Sequence, residues 1–514
     1  MARTSINRRR FISASANLAG GAFFAPNILR SQNGASPNNK LRIACIGIGG
    51  KGESDSGAAA GLNSKDPSDV NDIVAIVDVD TDRLAKAQKR FPGAEAFTDF
   101  RKMFDKMSDK IDAVTVSTPD HTHFVAGMMA VQHKKHVMVQ KPMCNTIWEV
   151  RELHKAAKAA GVITQMGNQG RTMEGQRLAK EWVKQGGIGK LQEIKLWTNR
   201  PIWPQGPIKK VLTWTETVFT DENGKPIDAG AAITYKGKRI KTESPMTGPP
   251  KNLEWDTWFT SETPEPYFVF DLPSELTKRS NSLHPFAWRG WWQFGSGALG
   301  DMGCHIMDAT FSILGQAIPE KIEVESAEIT DLNCPVWTTL KYHFAATDKH
   351  GPLVVTWQDG SKEGTPNKPE KPELMKELSE EGWAKATSGM MFIGTDGVVY
   401  EGDAYCEHPS IYPLAKFTEV KQAMVDGKLK KTEARSTRPG EPQKEWTNVI
   451  RNGGTTSSNF DYAAPLAEFV LLGNLAIRSQ QTIQWDKEQM KVTNVEAANK
   501  FVKRPHYREG WYKA

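Results

Sequence analysis

The chain has 514 residues, more than one ordinary core accommodates, so at least two domains are expected. Charged residues make up 25% and hydrophobic residues 39%, the balance of a soluble globular protein. The formal net charge of +6 is small for this length and spread along the chain, which argues against a nucleic-acid binder, whose basic residues gather on one face. Five cysteines (Cys45, Cys144, Cys304, Cys334, Cys406) are scattered without a C-x-x-C pair, so no zinc site is indicated. Their odd number also argues against a complete disulfide framework.

Residues 1–39 are set apart as a signal and linker. Asn7-Arg8-Arg9-Arg10-Phe11-Ile12 places two consecutive arginines and one variable residue before two apolar ones, and a Gly/Ala-rich stretch follows from Ala14 to Ala25. The pattern resembles a twin-arginine export signal. The stretch is too short and too broken by glycine to span a membrane. Export implies a periplasmic protein; the other reading, a disordered basic tail, implies a cytoplasmic one.

From Leu41 to Ile46 a short apolar, β-branched run reads as a buried strand, and Gly47, Gly49 and Gly52 follow in the spacing G-x-G-x-x-G, with Gly50 and Lys51 between them. The first glycine permits a tight turn, the second lets a pyrophosphate approach the backbone, and the third lets the next helix pack close. That helix offers unpaired N–H groups and a positive dipole end to phosphate. A second strand, Ile73 to Val77, ends at Asp78, placed to bond adenosine ribose hydroxyls or, on the plainer reading, to cap the helix from Thr81. Strands at Asp112–Ser117, His136–Gln140 and Val162–Gln165 alternate with helices and complete an open parallel sheet over 40–166. The strand ends carry the Gly47 turn, Asp78, Thr118-Pro119 and Lys141 to one edge, where such sheets bind ligands.

Beyond Met166 the pattern changes. A helix (Glu174 to Gln185), a strand (Leu191 to Trp197) and a long irregular insertion at about 200–290, rich in Pro and Trp, lead to a glycine-rich segment entering a helix at Gly295–Asp308. Later strands (Lys321–Glu328, Thr338–Phe344, Leu353–Trp357, Met391–Ile393, Val398–Tyr400) suggest a large, mostly antiparallel sheet, and Phe460 to Arg478 a helix. The expected fold class is α/β: a Rossmann domain at 40–166 and an α+β domain at 167–514.

Four ordered motifs make the chain similar to the Gfo/Idh/MocA oxidoreductases: the glycine turn, Thr118-Pro119-Asp120-His121-Thr122-His123, Gln140-Lys141-Pro142, and Asp301-Met302-Gly303-Cys304-His305. Trp203-Pro204-Gln205-Gly206 and Trp288-Arg289-Gly290-Trp291-Trp292 look like an exported bacterial branch with an enlarged substrate domain. The resemblance implies a bound NAD or NADP, held at Gly47, Gly49, Gly50, Gly52, Asp78, Thr118, Pro119, His121, His123 and Lys141. It implies a homodimer or homotetramer built through the C-terminal sheet, and no metal. One departure is plain: the family's glutamate before the lysine is Gln140 here, so Lys141 lacks that charge partner.

Oxidising a secondary alcohol needs a hydride acceptor, a base and a group that stabilises alkoxide charge. Asp301 and His305 are four apart and share a helix face. By resemblance His305 is the base, Lys141 stabilises the alkoxide and Asp301 orients them. The alternative for this pair is a helix-start carboxylate and a packed histidine. Asn168, Gln169 and Arg171 read as a substrate-side loop or as ordinary turn polarity. Trp288, Trp291 and Trp292 offer faces for a sugar, with Arg289 beside them, or are simply core. His121 and His123 could chelate a metal, but no third ligand lies near in sequence. The expected function is hydride transfer between NAD(P), with NAD favoured by Asp78 and Arg83 opposing, and a sugar, sugar derivative or cyclic polyol. The cofactor is expected to stay tightly bound. Two alternatives stand beside it: an NAD-dependent glycoside hydrolase working by transient C3 oxidation and elimination, and a non-catalytic dinucleotide-binding protein.

Overall fold

Six short strands form a parallel sheet in the order β3-β2-β1-β4-β5-β6 in the computed structural model, which describes residues 40–207, 209–212, 233–235, 238–240, 249–271, 282–346 and 351–512. The strands are β1 (Arg42–Ile46), β2 (Asp72–Val77), β3 (Glu95–Phe97), β4 (Ala113–Val116), β5 (His136–Val139) and β6 (Thr164–Met166). Helices cover both faces, so the strands read as apolar runs and not as alternating patterns; all of β4 is buried. The helix Thr81–Arg90 starts where its sequence indicates, but its cap is Asp80, whose side chain accepts from the Asp82 and Arg83 N–H groups. Asp78 therefore does not cap it. The helix Ile147–Ala160 opens on a capping box between Thr146 and Glu149. The export signal expected at residues 1–39 lies outside the described residues.

The second sheet has ten strands. Lys321–Ser326, Trp337–Phe344 and Leu353–Lys362 form an antiparallel meander. Leu191–Thr198 pairs in parallel with Leu353–Lys362, the exception to the antiparallel expectation. Ser388–Gly394, Val398–Glu401 and Ser410–Tyr412 continue antiparallel beyond it. One face, with Leu196, Leu340, Tyr342, Val355 and Trp357, is buried in the same core as the helices Gly297–Ile313 and Phe460–Ser479. Phe460–Ser479 is apolar on all sides because it is buried on all sides. By length and composition it could cross a membrane, yet 89% of its most apolar window is covered by protein.

The insertion is less irregular than its composition suggests. Lys209–Leu212 pairs with Phe268–Asp271, and Trp255–Trp258 forms a short helix. Trp255, Trp258, Phe259, Phe268 and Trp291 pack into an aromatic core of their own. Helices at Leu414–Val425 and Pro442–Asn452 complete the C-terminal part.

Candidate active site

Between β1 and the helix Lys51–Ala59 the chain needs glycine for two reasons. Gly47 has φ 78, and a Cβ there would lie 2.5 Å from the Ser117 carbonyl oxygen. A Cβ on Gly52 would lie 2.0 Å from the Gly47 carbonyl oxygen, so the helix can approach the turn only without one. Gly50 has φ 58 and open space where its side chain would be. No side chain caps this helix start; the Gly52 and Glu53 N–H groups turn back to the Gly49 and Gly50 carbonyls, and the positive dipole end, at Gly50 and Lys51, lines a cavity. Asp78 braces the turn: its Oδ2 accepts from Ile48 N–H and its Oδ1 from Asp80 N–H, both at 3.0 Å. The Arg83 side chain covers Gly49, with its Cδ 2.4 Å from where a Cβ would sit.

The cavity has a volume of about 470 Å³. Gly47, Gly49, Gly50, Asp78, Thr118 and Pro119 line it along the sheet edge. Lys141, Gln169, Trp288, Arg289, Asp301 and His305 line the rest, so the lysine and the distant histidine share one chamber. Gly52 is outside the wall, consistent with its packing task.

Lys141 Nζ donates to Asp301 Oδ1 at 3.0 Å and to the Asp301 carbonyl. Arg289 Nε donates to the same Oδ1 at 3.3 Å. Burial pushes the Asp301 carboxyl upward, but the Lys141 and Arg289 charges outweigh it and hold the group well below the usual carboxylate range. Burial drives His305 well below its ordinary value, and the Lys141 charge adds to that, so the imidazole is neutral at neutral pH. His305 Nδ1, Thr118 Oγ1 and Gln169 Oε1 are buried with no hydrogen-bond partner among the described residues. The Tyr405 ring meets the His305 ring edge-on at 5.0 Å.

Several expected contacts are revised. His121 and His123 lie outside the cavity wall, held by backbone carbonyls: His121 through Nε2 by Trp258, its Nδ1 being buried without a partner among the described residues, and His123 by Thr118 and Pro142. Burial pulls them down to about 3 and about 4, so both are neutral packing groups with one N–H each, and His123 donates to only one of its two carbonyls. Asn168 and Arg171 also turn away. Asn168 Nδ2 donates to Asp308 Oδ2 at 2.7 Å, and Arg171 lies over the Tyr462 ring at 4.0 Å. Of that loop only Gln169 reaches the cavity. Trp291 is in the aromatic core against Phe270, and Trp292 lies apart beside Arg478, which leaves Trp288 as the tryptophan of its motif in the wall. Arg289 packs over Trp288 at 4.3 Å.

Several other wall residues have no role in the sequence reading. Asp120 sits in the Thr-Pro loop; Ser296 Oγ donates to it at 2.9 Å, and burial pushes its carboxyl up to about 7 against the Lys141 and Arg289 charges. Arg200, Thr260, His284 and Tyr405 come from segments far apart in sequence that the fold assembles. Aspartate after Thr-Pro was readable as a cue for Asp120; nothing local pointed to Tyr405.

Residues 41–168 match a family model described as an oxidoreductase family, NAD-binding Rossmann fold, and residues 228–364 one described as an oxidoreductase family, C-terminal alpha/beta domain. The chain belongs to the Gfo/Idh/MocA oxidoreductase family. Levoglucosan dehydrogenase of Pseudarthrobacter phenanthrenivorans is 25% identical over 27% of this chain and 35% of its own length. Myo-inositol 2-dehydrogenase of Thermotoga maritima is 26% identical over 32% of this chain and 47% of its own. The chain thus spans between a third and a half of these relatives. Among solved structures, the WlbA dehydrogenase from Bordetella pertussis, in complex with NADH and UDP-GlcNAcA, superposes with a TM-score of 0.54 at 15% identity, covering 87% of this chain and 99% of that one. Levoglucosan dehydrogenase in complex with NADH and levoglucosan gives 0.51 at 14%, covering 87% and 99%. At such identities the likeness is one of fold.

Proposed function

We infer that the protein is an NAD(P)-dependent oxidoreductase that moves hydride between its cofactor and a secondary hydroxyl or ketone of a sugar, sugar derivative or cyclic polyol. One observation carries this reading: Lys141, Asp301 and a neutral His305 line the same cavity as an uncapped glycine turn suited to a pyrophosphate. The residues fit a dinucleotide. Gly49, Gly50 and the first helix would hold the diphosphate, Asp78 the ribose, and Thr118 Oγ1 supplies an unpartnered polar atom on the nicotinamide side. Asp78 favours NAD, since its charge repels a 2′-phosphate; Arg83 over Gly49 works the other way.

When bound, the nicotinamide supplies the hydride acceptor. Lys141 spends two donors on Asp301, which leaves its third N–H for the substrate oxygen and the developing alkoxide. Neutral His305 takes the hydroxyl proton. Asp301 keeps the lysine oriented, and Trp288 and Arg289 present an aromatic face and a cation to the rest of the substrate.

A second reading, hydrolysis of a glycoside by transient oxidation and elimination, is favoured by Asp120. A buried carboxyl that holds its proton near neutrality could protonate a departing glycosidic oxygen. Mass spectrometry of the small molecule released on denaturation tests the cofactor. Turnover on a carbohydrate and polyol panel then separates the readings: net nicotinamide reduction supports the first, release of aglycone from aryl glycosides without net reduction the second. Retained cofactor with neither activity sinks both.

The reading extends to the cell and the assembly. The paired arginines support export, and a 1–39 fusion to a reporter that fails to leave the cytoplasm opposes it. The outer face of the large sheet, with Lys341, His343, Thr356 and Gln358 partly or fully exposed, supports the expected dimer or tetramer. Sedimentation at the monomer mass excludes it.

A further inference from the structure

Asp55 has no part in the roles assigned above, yet it is among the most heavily engaged side chains near the cavity. It lies one turn into the helix Lys51–Ala59, and its side chain is 1% exposed. Donors from four separate segments converge on it. Oδ2 accepts from Ser117 Oγ at 2.7 Å and from Gln140 Nε2 at 2.8 Å. Oδ1 accepts from Gln443 Nε2 at 2.6 Å and pairs with the Lys51 ammonium. Together these occupy the four lone-pair sites of a carboxylate.

The donors are not incidental. Lys51, Ser117 and Gln140 all line the cavity. Lys51 sits in the glycine turn, and its charge is felt at His305. Gln140 immediately precedes Lys141, and its amide packs against Gly167 so closely that a Cβ there would meet it at 2.4 Å. Gln443 belongs to the helix Pro442–Asn452 in the C-terminal part. The carboxylate absent at position 140 is thus present in the same hydrogen-bonded cluster, carried by the facing helix.

We propose that Asp55 is a positioning residue of the active site, holding the Lys51 ammonium and the Gln140 amide together so that the phosphate-binding turn and the loop bearing Lys141 keep one geometry. The proposal rests on the catalytic reading of Lys141. Its physical basis is that Asp55→Asn removes the counter-charge of Lys51 and leaves one acceptor oxygen for four partners, so Ser117 and Gln140 must turn from donors into acceptors to meet the new NH₂.

The test compares wild type with Asp55→Asn, Gln140→Leu and the double variant Asp55→Asn/Gln140→Glu. Acetylation rates of individual lysines are read by peptide mass spectrometry, beside melting temperature and steady-state kinetics. In Asp55→Asn, Lys51 and Lys141 should label at least fivefold faster, while exposed Lys341 is unchanged. kcat should fall at least tenfold with KM within threefold. Gln140→Leu should release Lys141 but not Lys51, and it decides the matter if Asp55→Asn does not fold. The double variant should bring both labelling rates back to within twofold of wild type, because it returns one carboxylate to the cluster. Unchanged labelling of Lys51 and Lys141 in Asp55→Asn overturns the proposal. So does a uniform rise at every lysine with a lower melting temperature, which marks a merely structural role. Labelling needs no turnover, so an inert wild type would remove the oxidoreductase reading while the positioning role is still decided.

Discussion

Lys141, Asp301 and His305 divide their work by charge. Two cations share one carboxylate, so the group that stays ionised is Asp301 and the group that stays neutral is His305. On the proposed role of Lys141 as donor to the substrate oxygen, Lys141→Ala leaves Arg289 to hold Asp301, and turnover should fall by about 10²–10⁴-fold with the fold intact, measured as nicotinamide absorbance against melting temperature. Asp120 makes a separate prediction. Its carboxyl is raised to about 7 by burial, whereas an unfolded aspartate titrates near 3.9. The folded form therefore holds a proton through that window that the unfolded chain has lost. The associated stability is complete below about pH 4 and is lost as pH rises through about 7. Asp120→Asn cannot titrate, so its melting temperature relative to wild type should climb from pH 4 to pH 8, with a ceiling of ~4 kcal/mol at about 1.4 kcal/mol per pH unit. A flat difference would show that Asp120 is not buried as a neutral acid.

Among elements, the glycine turn sets how near the first helix comes to the sheet. Gly52→Ala must open the contact with the Gly47 carbonyl, and should cost about 1–3 kcal/mol and weaken dinucleotide binding. Gly50→Ala meets open space, but φ 58 with ψ −116 lies outside the left-handed α well in a region that glycine alone adopts readily, and the change should cost about 1–3 kcal/mol through backbone strain. Denaturant midpoints read both costs; an unchanged midpoint in Gly52→Ala would mean that close packing is not what selects glycine at 52. The β1 run, the Thr81 helix and the Phe460 helix are all legible in the sequence, because period and composition are local properties. The strand pairing of Leu191–Thr198 is not, since its parallel partner begins at Leu353.

Over the whole molecule, the C-terminal tail ties the Rossmann part to the insertion. Arg504 Nε donates to Glu149 Oε1 at 3.0 Å and also pairs with Glu262. Tyr507 donates to the same Glu149 oxygen at 2.9 Å, and Arg508 pairs with Asp256. Trp511 packs edge-on to Phe100 at 5.4 Å, under the Arg101 guanidinium at 3.8 Å. Arg504→Ala strands a glutamate that is almost wholly buried and should cost about 3–5 kcal/mol, read as a lowered midpoint of a single transition. A loss below 1 kcal/mol would show that the tail is a surface strand of little consequence.

What the sequence settled unaided were the features that neighbours along the chain decide: the Rossmann alternation, the tight turn and close packing that require Gly47 and Gly52, the helix that presents Asp301 and His305 from one side. Lys141 and Asp301, 160 positions apart, are joined in the sequence only through the family resemblance. Tertiary structure decided where side chains point. His121 and His123 share a motif with Thr118, yet only the packed loops reveal carbonyls waiting for their rings. Asn168 and Arg171 flank Gln169, but a buried Asp308 and the Tyr462 ring draw them the other way. The missing carboxylate beside Lys141 shows the same limit: Asp55 stands 85 residues from Gln140, and nothing short of the folded chain puts them 2.8 Å apart. Periodicity is a property of a segment, whereas a buried polar group takes whatever partner the whole fold brings within reach.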